Sequence, residues 1–236
     1  MSAAPDATPV VLSWSGGKDA AWTLHTLNRD PRWQVVALLT TVTEGYERIA
    51  MQGIRRDVLL RQTEAARLPL IEARMPLRTD NATYERCFAV ALDEARQRFP
   101  GLQHIAFGDL FLEDIKQYRD ALCARLGWTP IYPLFGSNTS QLAREMMAGG
   151  LKASLCCVDT TQLDARFAGR AFDESLLDEL PDNVDPCGEN GEFHTCVHAG
   201  PFFDRPLHLE PGEQVLRDQR FMYSDILVSD PSARKL

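Results

Sequence analysis

The residues best suited to chemistry form a glycine-rich segment near the start of the chain, which reads SWSGGKD from Ser13 to Asp19. It directly follows an apolar run, Pro9 to Leu12, that has strand character. Two adjacent glycines let backbone N–H groups approach a ligand closely, and the hydroxyl and ammonium groups can then surround an anion. A loop of this kind between a strand and a helix is typical of phosphate binding. The residues predicted to hold a nucleotide here are Ser13, Ser15, Gly16, Gly17, Lys18 and Asp19.

The spacing of the loop does not fit two familiar nucleotide motifs. A GxxxxGK[ST] loop would need glycine where Leu12 stands and serine or threonine where Asp19 stands, and a GxGxxG pattern is absent. Lys18 is predicted to act as a mobile positive charge toward a polyphosphate. The Asp19 carboxylate leaves two interpretations open, since it could help to hold Mg²⁺ or could cap the helix that follows.

A second dense group of functional side chains lies in the segment GENGEFHT, residues 188 to 195. We predict that Glu189 and Glu192 bind an ammonium or amine nucleophile, coordinate Mg²⁺ or accept a proton as general base. His194 is predicted to shuttle a proton near neutral pH. The alternative is a solvated polar turn without a catalytic role. The residues predicted to bind substrate are Gly188, Glu189, Asn190, Glu192, His194 and Thr195, and those predicted to be catalytic are Lys18, Glu189, Glu192 and His194.

The elements that must position these residues alternate between strands and helices up to about residue 135. The predicted strands are Val10 to Trp14, Gln34 to Thr41, Pro69 to Met75, His104 to Gly108 and Thr129 to Tyr132. Helical periodicity links Ala20, Leu24 and Leu27; Ile54, Val58, Arg61 and Ala65; Tyr84, Phe88, Leu92, Ala95 and Phe99; and Phe111, Ile115, Tyr118, Leu122 and Leu126. This alternation predicts an α/β fold, a doubly wound parallel sheet with helices on both faces. Asp109 would then share a sheet edge with the glycine loop and serve Mg²⁺ or the ribose, with a helix cap as the alternative.

The rhythm breaks at Pro133 and Gly136, which predicts a domain boundary there. Beyond it we expect a helix capped by Ser137 or Asn138 that ends at Gly149 and Gly150. The further elements predicted are a strand over 151–159, a short helix over 174–180, a strand after the glycine turn and more strands within 213–228. The prediction is therefore an N-terminal domain over 9–135 and a smaller mixed α/β domain over 136–236. Residues 1–8 and 230–236 are expected to be frayed.

The composition narrows the classes of partner. The chain has 236 residues and a formal net charge of −8, which disfavours broad adhesion to nucleic acid or to an anionic membrane. No apolar run reaches the roughly 18 residues of a membrane-spanning helix, and the first residues lack signal-peptide features, so a cytoplasmic location is expected. Six cysteines without a CxxC motif are expected to be reduced thiols. Assembly into a homo-oligomer is a further possibility that the sequence leaves open.

The SGGKD loop resembles the pyrophosphate-binding loop of the PP-loop ATP pyrophosphatases, the adenine-nucleotide α-hydrolase-like enzymes. Three longer stretches, over residues 108–136, 151–173 and 185–203, resemble in order the blocks of the diphthine–ammonia ligase family and its bacterial relatives of unassigned substrate. The resemblance implies an ATP-pyrophosphatase domain followed by a smaller domain that closes over the reactive phosphate. It further implies Mg²⁺- and ATP-dependent adenylation of a carboxylate or amide, and then attack by ammonia or another amine.

The resemblance also implies roles for the loop and for the partners. The loop amides, Ser15 and Lys18 would hold the β and γ phosphates as they leave as pyrophosphate. The acceptor would be a modified protein side chain or a small molecule that carries a carboxylate. The chain departs from the family in two places. Ala20 stands where such loops usually have serine, and Asn190 and His194 stand in a motif that is usually the acidic GGE-x-E-T. We therefore expect this chain to share the reaction type of the family, whereas its substrate is expected to be able to differ.

Three alternatives remain open at this point. Enzymes that thiolate tRNA use the same loop, but they relay sulfur through cysteines or hold an iron–sulfur cluster, and the acidic balance disfavours tRNA. Strand alternation would put Glu192, His194, Cys196 and His198 on one face, where HxCxH could bind Zn²⁺. A regulatory module could bind the nucleotide without turning it over.

Overall fold

A computed structural model describes residues 7–49 and 52–229. The fraying expected for residues 1–6 and 230–236 lies outside these ranges. Thr8, which was expected to be frayed, already begins the first strand. It pairs with Trp33 of the neighbouring strand, so its backbone is ordered by the sheet.

The N-terminal half forms a six-stranded sheet in which the neighbouring strands follow the order β3-β2-β1-β5-β6, while β4 pairs with β2. The strands are β1 Thr8–Ser13, β2 Trp33–Thr43, β3 Arg48–Ile49, β4 Leu70–Met75, β5 His104–Ala106 and β6 Thr129–Ile131. The helices in the described part of this half are α1 Lys18–Arg29, α2 Arg56–Ala66, α3 Asn81–Arg98 and α4 Glu113–Arg125. All ladders are parallel except the short antiparallel pairing of β3 with β2. The predicted α/β class with a parallel-dominated sheet is confirmed.

Helices cover both faces of this sheet because the strand side chains alternate. Val10 and Leu12 of β1 pack on one side, in a core that also contains residues of α1 and α2. Val11, between them, packs on the opposite side with residues of α3 and α4. The strand before the glycine loop is therefore buried on both faces, as its continuous apolar sequence predicts.

The C-terminal half forms a separate four-stranded antiparallel sheet in the order β8-β7-β10-β9. Its elements are α5 Thr139–Ala148, β7 Lys152–Asp159, a 3₁₀ turn Ala165–Phe167, α6 Glu174–Glu179, β8 Phe193–Ala199, β9 Leu209–Arg217 and β10 Phe221–Val228. Asn138 is the N-cap of α5, since its side-chain oxygen accepts a hydrogen bond of 2.9 Å from the Gln141 amide. The smaller second domain of the predicted class is confirmed by this separate sheet.

The two sheets share one hydrophobic core. Leu155 of β7 and Val197 of β8 belong to the same buried cluster as Leu12 of β1 and Leu24 of α1. The first sheet uses strands up to Ile131 and the second uses strands from Lys152 onward. The boundary between residues 135 and 136 is compatible with this division and stays a prediction.

Two predicted helix faces were partly wrong, and one strand was not predicted. On α2 the structure buries Gln62 completely, whereas Arg61 is exposed and pairs with Glu64 at 3.0 Å. On α4 the apolar residues at the start of the predicted stripe remain more than a third exposed, and they are Phe111, Ile115 and Tyr118. The short β3 was missed because two residues carry no periodic signal. Within the described part of the chain, no helix has both the length and the apolarity to cross a membrane.

Candidate functional site

A cavity of about 460 Å³ opens at the carboxyl ends of β1, β2 and β4. Ser13 and Ser15 of the glycine loop form part of its wall. Thr43 at the end of β2, Asn81 at the start of α3 and Arg119 of α4 form other parts. Ligands of open α/β sheets bind at this edge, where helices begin and strands end. The structure thus brings the predicted hydroxyl groups to a pocket of the size of a small-molecule site.

The backbone of the glycine loop is held by the C-terminal sheet. Gly16 has a φ of +76°, a left-handed conformation that favours glycine. Its carbonyl oxygen accepts a hydrogen bond of 3.0 Å from the Val197 amide of β8. Gly17 is the N-cap of α1 and contributes no side chain, and the next amide, that of Lys18, donates to the Thr195 hydroxyl oxygen at 3.0 Å. The loop and β8 are therefore one hydrogen-bonded unit.

The Lys18 side chain lies inside this unit rather than free in the cavity, which corrects the expectation of a mobile charge. It is 2% exposed, and its Nζ lies 2.8 Å from Asp19 Oδ2 and donates to the carbonyl oxygen of Cys187. The rings of Phe172 and Phe193 lie 5.7 and 5.6 Å from the same nitrogen. Burial alone lowers the pKa of Lys18, but the charges of Asp19, Cys187 and Glu189 outweigh it, so that the pKa is raised and the ammonium is kept.

The turn that receives Lys18 is ordered by its own hydrogen bonds. The Asp185 carboxylate accepts from the Cys187 amide at 2.9 Å and from the Glu189 amide at 3.2 Å. Gly188 has a φ of +68°, and a Cβ there would lie 2.8 Å from the Phe193 carbonyl oxygen. These contacts order the turn internally, which argues against the alternative of a solvated polar turn that the sequence left open.

The two glutamates of this turn have different surroundings. Glu189 Oε1 accepts from the amides of Leu110 and Phe111, at 2.7 and 3.3 Å, and so ties the turn to the loop after β5. Burial raises the pKa of Glu189. Glu192 is 2% exposed, and its Oε1 accepts from the Asp185 amide and from Asn190 Nδ2, each at 2.9 Å. Asn190, one of the departures from the family motif, therefore orients a carboxylate within the turn.

His194 lies on β8 beside the same charges. Burial lowers its pKa to about 4, and the nearby Lys18 ammonium contributes in the same direction. The imidazole is therefore neutral at pH 7. A pKa of about 4 lies below the neutral range in which the sequence predicted a proton shuttle.

Asp109 faces a cation at the edge of the cavity. The Arg119 Nε lies 2.9 Å from Asp109 Oδ2, a close charge contact whose angles are not those of a hydrogen bond. The Arg119 guanidinium also stacks 4.2 Å from the centre of the Phe107 ring. A Cβ on Gly108 would lie 3.0 Å from the Asp19 carbonyl carbon, so this loop runs against the first turn of α1. Asp19, in the first turn of α1, and Asp109, in the loop after β5, thus lie on neighbouring segments.

Asp19 and Asp109 are the two carboxylates predicted to hold Mg²⁺. Among residues 7–49 and 52–229, no group of three or more histidine, cysteine, aspartate or glutamate side chains is arranged to bind a metal ion, and this gives the Zn²⁺ alternative no support. Mg²⁺ needs no such protein cage, because it is usually held by one or two carboxylates together with substrate phosphates. Asp19 and Asp109 fit that requirement, although each also has a cationic partner.

The cysteines have the properties of buried structural thiols. All six are free, and none of the four nearest the second sheet and its turn is exposed. Burial raises the pKa of Cys187 and of Cys196 to about 12 and that of Cys157 to about 11. Thiolates of the kind that relay sulfur need a lowered pKa. The arrangement therefore disfavours the tRNA-thiolation alternative.

Gln62, Asp185 and Cys187, which hold the glycine loop and the turn, were not predicted from the sequence. The signal for Gln62 was present, since a polar residue four positions after Val58 falls on the buried stripe of α2. Asp185 stands two residues before Cys187, a spacing typical of a carboxylate that accepts from the backbone of its own turn. Cys187 contributes only its carbonyl to Lys18, which no side-chain pattern can reveal.

Comparison with known proteins agrees with this architecture. Residues 138–226 match the family model of the diphthamide synthase C-terminal domain. A diphthine–ammonia ligase of Schizosaccharomyces pombe is 26% identical over 220 residues, which is 85% of this chain and 36% of that protein. A diphthine–ammonia ligase of Homo sapiens is 31% identical over 111 residues, which is 44% of this chain and 42% of the human protein. A third, from Rattus norvegicus, is 24% identical over 86% of this chain and 83% of its own length.

The aligned part of the chain therefore spans less than half of the length of the Schizosaccharomyces pombe and human relatives, while it spans most of the rat protein. The family model falls on the second sheet, and the longer alignments also include the half with the glycine loop. With the SGGKD loop and the GENGEFHT turn in contact, these matches support the resemblance of the chain to the diphthine–ammonia ligase family.

Proposed function

We propose that the chain is an ATP-dependent ligase that forms AMP and pyrophosphate while it converts an acceptor carboxylate into an amide, or an acceptor amide into an amidine. The acceptor oxygen would attack the α-phosphorus of ATP and release pyrophosphate. Ammonia or another amine would then attack the activated carbon, release AMP and leave its surplus proton with a base. Bound ATP supplies the electrophilic phosphorus and the leaving group, and the chain supplies positioning and charge.

The observation that carries the proposal is the contact between the two motif segments. The Lys18 amide and ammonium bind Thr195 and Cys187, so the loop suited to phosphate and the turn rich in carboxylates meet at one sheet edge. A ligase that activates its acceptor by adenylation needs the phosphate site and the acceptor site close to one another. A module that only sensed nucleotide would have no need for the second group of side chains.

On the nucleotide side, we assign the backbone of Gly16 and Gly17, the Ser13 and Ser15 hydroxyls and the N-terminus of α1 to the phosphates. Lys18 is enclosed in the present arrangement, and its ammonium adds positive potential at the start of α1. Asp19 and Asp109 are the proposed carboxylates for Mg²⁺, and Arg119 lines the cavity as a cation for a phosphate oxygen or an acceptor carboxylate.

On the acceptor side, Gly188, Glu189, Asn190, Glu192, His194 and Thr195 remain the proposed substrate-binding set. The raised pKa of Glu189 suits a carboxylate that takes up a proton from the nucleophile, since its basicity is closer to neutrality than that of an ordinary glutamate. The neutral His194 can accept a hydrogen bond from an amine without repelling an ammonium ion.

The names of the relatives, which mention diphthine and ammonia, suggest the acceptor to test. Diphthine on its protein is therefore the first acceptor to test. Asn190 and His194 change the motif that faces the acceptor, so small carboxylate metabolites form the second group to test.

The decisive experiment measures the nucleotide products of the purified chain with ATP, Mg²⁺, ammonium and each candidate acceptor. AMP and pyrophosphate in equal amounts, dependent on acceptor, are expected. Formation of ADP would refute the mechanism, and a Lys18→Ala variant with full ATP affinity and turnover would refute the loop assignment. A double variant, Glu189→Gln with Glu192→Gln, that keeps unchanged turnover on the true acceptor would refute the second site.

The regulatory module remains the second candidate. It predicts tight ATP binding with negligible turnover in the presence of every acceptor and amine tested. The same product assay therefore separates the two functions.

A further inference from the structure

Gln62 of α2 is a fully buried polar side chain that touches the glycine loop from behind. It is 0% exposed and lies at the junction of the loop, β8 and Trp14. Nothing in the chemistry of the proposed ligase requires a carboxamide at this place. A buried amide that is not fully hydrogen-bonded costs about 1 to 3 kcal/mol, so its presence calls for a specific task.

The carboxamide of Gln62 makes three strong hydrogen bonds, which use both of its N–H donors and one of the two lone pairs of its oxygen. Its Oε1 accepts from the indole Nε1 of Trp14 at 3.1 Å. Its Nε2 donates to the Gly16 carbonyl oxygen at 3.0 Å and to the Val197 carbonyl oxygen at 2.8 Å. The indole can only donate and the two carbonyls can only accept, so one orientation of the amide satisfies all three partners.

These contacts fix one peptide plane of the loop. The Gly16 carbonyl oxygen receives two donors, Gln62 Nε2 and the Val197 amide, both at 3.0 Å. The peptide bond between Gly16 and Gly17 is trans, so the Gly17 N–H points away from the Gly16 carbonyl. That N–H is directed toward Ser15 Oγ, 3.3 Å away, and Ser15 lines the cavity at the sheet edge.

Gln62 also explains why glycine stands at position 16. A Cβ there would lie 2.8 Å from Gln62 Oε1, in a backbone with a φ of +76°. The carboxamide and the left-handed loop conformation therefore specify one another.

We infer that Gln62 is a positioning residue that aims the Gly17 N–H into the cavity, where it donates to a phosphate oxygen of the nucleotide. The inference rests on the proposed function, because it takes the cavity to be the ATP site. Gln62 itself does not touch the nucleotide. It acts through the carbonyl of Gly16, and its effect falls on the phosphates rather than on the adenosine part.

The test compares the binding of Mg²⁺–ATP and of adenosine to wild-type protein and to Gln62→Met, by calorimetric titration. Methionine keeps the length of the side chain and removes both donors. We expect the Kd for ATP to rise about tenfold or more and the Kd for adenosine to stay within about twofold. Equal weakening of both ligands, or unchanged ATP affinity in a folded variant, would overturn the inference.

Thr63→Val serves as the matched control. Thr63 is the next residue of α2 and is also buried, but its hydroxyl donates to Leu60 within its own helix. This variant should bind ATP as the wild type does. If it loses ATP affinity as strongly as Gln62→Met, the cause is the packing of α2, and the positioning role is wrong.

A measurement on the unaltered protein keeps the inference testable if Gln62→Met does not fold. In protein labelled with ¹⁵N-glycine, the Gly17 amide resonance should shift on addition of Mg²⁺–ATP and remain in place with adenosine. If the chemical shift of the Gly17 amide stays unchanged when ATP is bound, the inference is refuted. Absence of ATP binding to the wild type would instead refute the proposed function, so the two failures are distinguishable.

Discussion

The backbone amide of Lys18 donates a hydrogen bond of 3.0 Å to the Thr195 hydroxyl oxygen, across 177 positions of the chain. This contact places the first residue of α1 against the middle of β8. It is a buried bond of ordinary length, donated by an amide that lies at a helix start and has no intrahelical partner. The glycine loop is therefore completed by a residue of the second sheet.

Replacement of this hydroxyl should weaken both the fold and the loop. Thr195→Val keeps the shape but leaves the buried Lys18 amide unpaired, so a loss of about 2 kcal/mol in the free energy of unfolding is expected in urea titrations. The Kd for ATP should rise as well. Thr26→Val is the control, because the Thr26 hydroxyl bonds to Trp22 within α1. Equal stability of the wild type and Thr195→Val would contradict this account.

The ion pair of Lys18 with Asp19 should behave as a coupled unit. Lys18→Met leaves the Asp19 carboxylate without its cation in a largely buried place, and we expect destabilisation of about 3 kcal/mol. Asp19→Asn added to Lys18→Met should recover part of this loss, because it removes the uncompensated charge. A double-mutant cycle by chemical denaturation measures the coupling. Additive losses would show that the two side chains act independently.

His194 should make stability depend on pH in the mildly acidic range. Its pKa is lowered to about 4 in the folded protein, against about 6.5 when unfolded, so the unfolded state binds the proton first as pH falls. The stabilisation is fully present above about pH 6.5 and is lost as the pH falls toward 4. Between pH 7 and 5 the wild type should lose about 1 to 2 kcal/mol more than His194→Gln.

The groups that face His194 set the sign of this effect. Lys18 opposes its protonation, while Asp159 and Glu192 favour it. His208→Gln, in a histidine outside the two motif segments, serves as the control and should follow the wild-type profile. Parallel pH profiles for the wild type and His194→Gln would exclude His194 as the source.

Asp225 should prove to be a strong link between β10 and the region around β3. It accepts from Arg48 at 2.8 Å and from Arg55 at 2.6 Å. Burial raises the pKa of Asp225, but the two guanidinium groups outweigh it and hold the pKa well below its ordinary value. Asp225→Asn should cost about 2 to 3 kcal/mol at pH 7, since two cations lose their partner.

The pH dependence and a matched variant check this link. Because the pKa is lowered, the stabilisation by Asp225 is present above about pH 4 and is lost as the pH falls below it. Asp204→Asn, which breaks a pair with the largely exposed Arg67, should cost less than about 1 kcal/mol. Comparable losses in both variants by thermal unfolding at pH 7 would refute the special role of Asp225.

Much of the fold follows from local signals. Most of the long strands and helices were predicted within a few residues, because their apolar periodicity agrees with their burial. β9 is an exception, since it begins at Leu209, before the stretch 213–228 that was predicted to supply further strands. The position of the glycine loop also followed, since a strand before it and a helix after it leave little other geometry. The short β3 was missed because pairing of two residues depends on the neighbouring strand rather than on their own sequence.

The direction of the Lys18 side chain was beyond local reasoning. Its partners come from the other half of the chain, and they are Cys187, Phe172 and Phe193. The hydrogen bond among these contacts is made to the backbone carbonyl of Cys187 and not to a side chain. The burial of Gln62 in place of Arg61 shows the same limit, since only the approach of β8 decides which polar residue of α2 faces inward.

The bond between Lys18 and Thr195 has a consequence for synthesis on the ribosome. The segment from Ser13 to Lys18 leaves the exit tunnel long before β8 is synthesised. The hydrogen bonds of the Lys18 amide and of the Gly16 carbonyl can form only when Thr195 and Val197 are present. Until then the nascent N-terminal half lacks the partners that shape its glycine loop. The loop geometry that the proposed nucleotide binding requires would therefore be completed only late in translation, after β8 has been made.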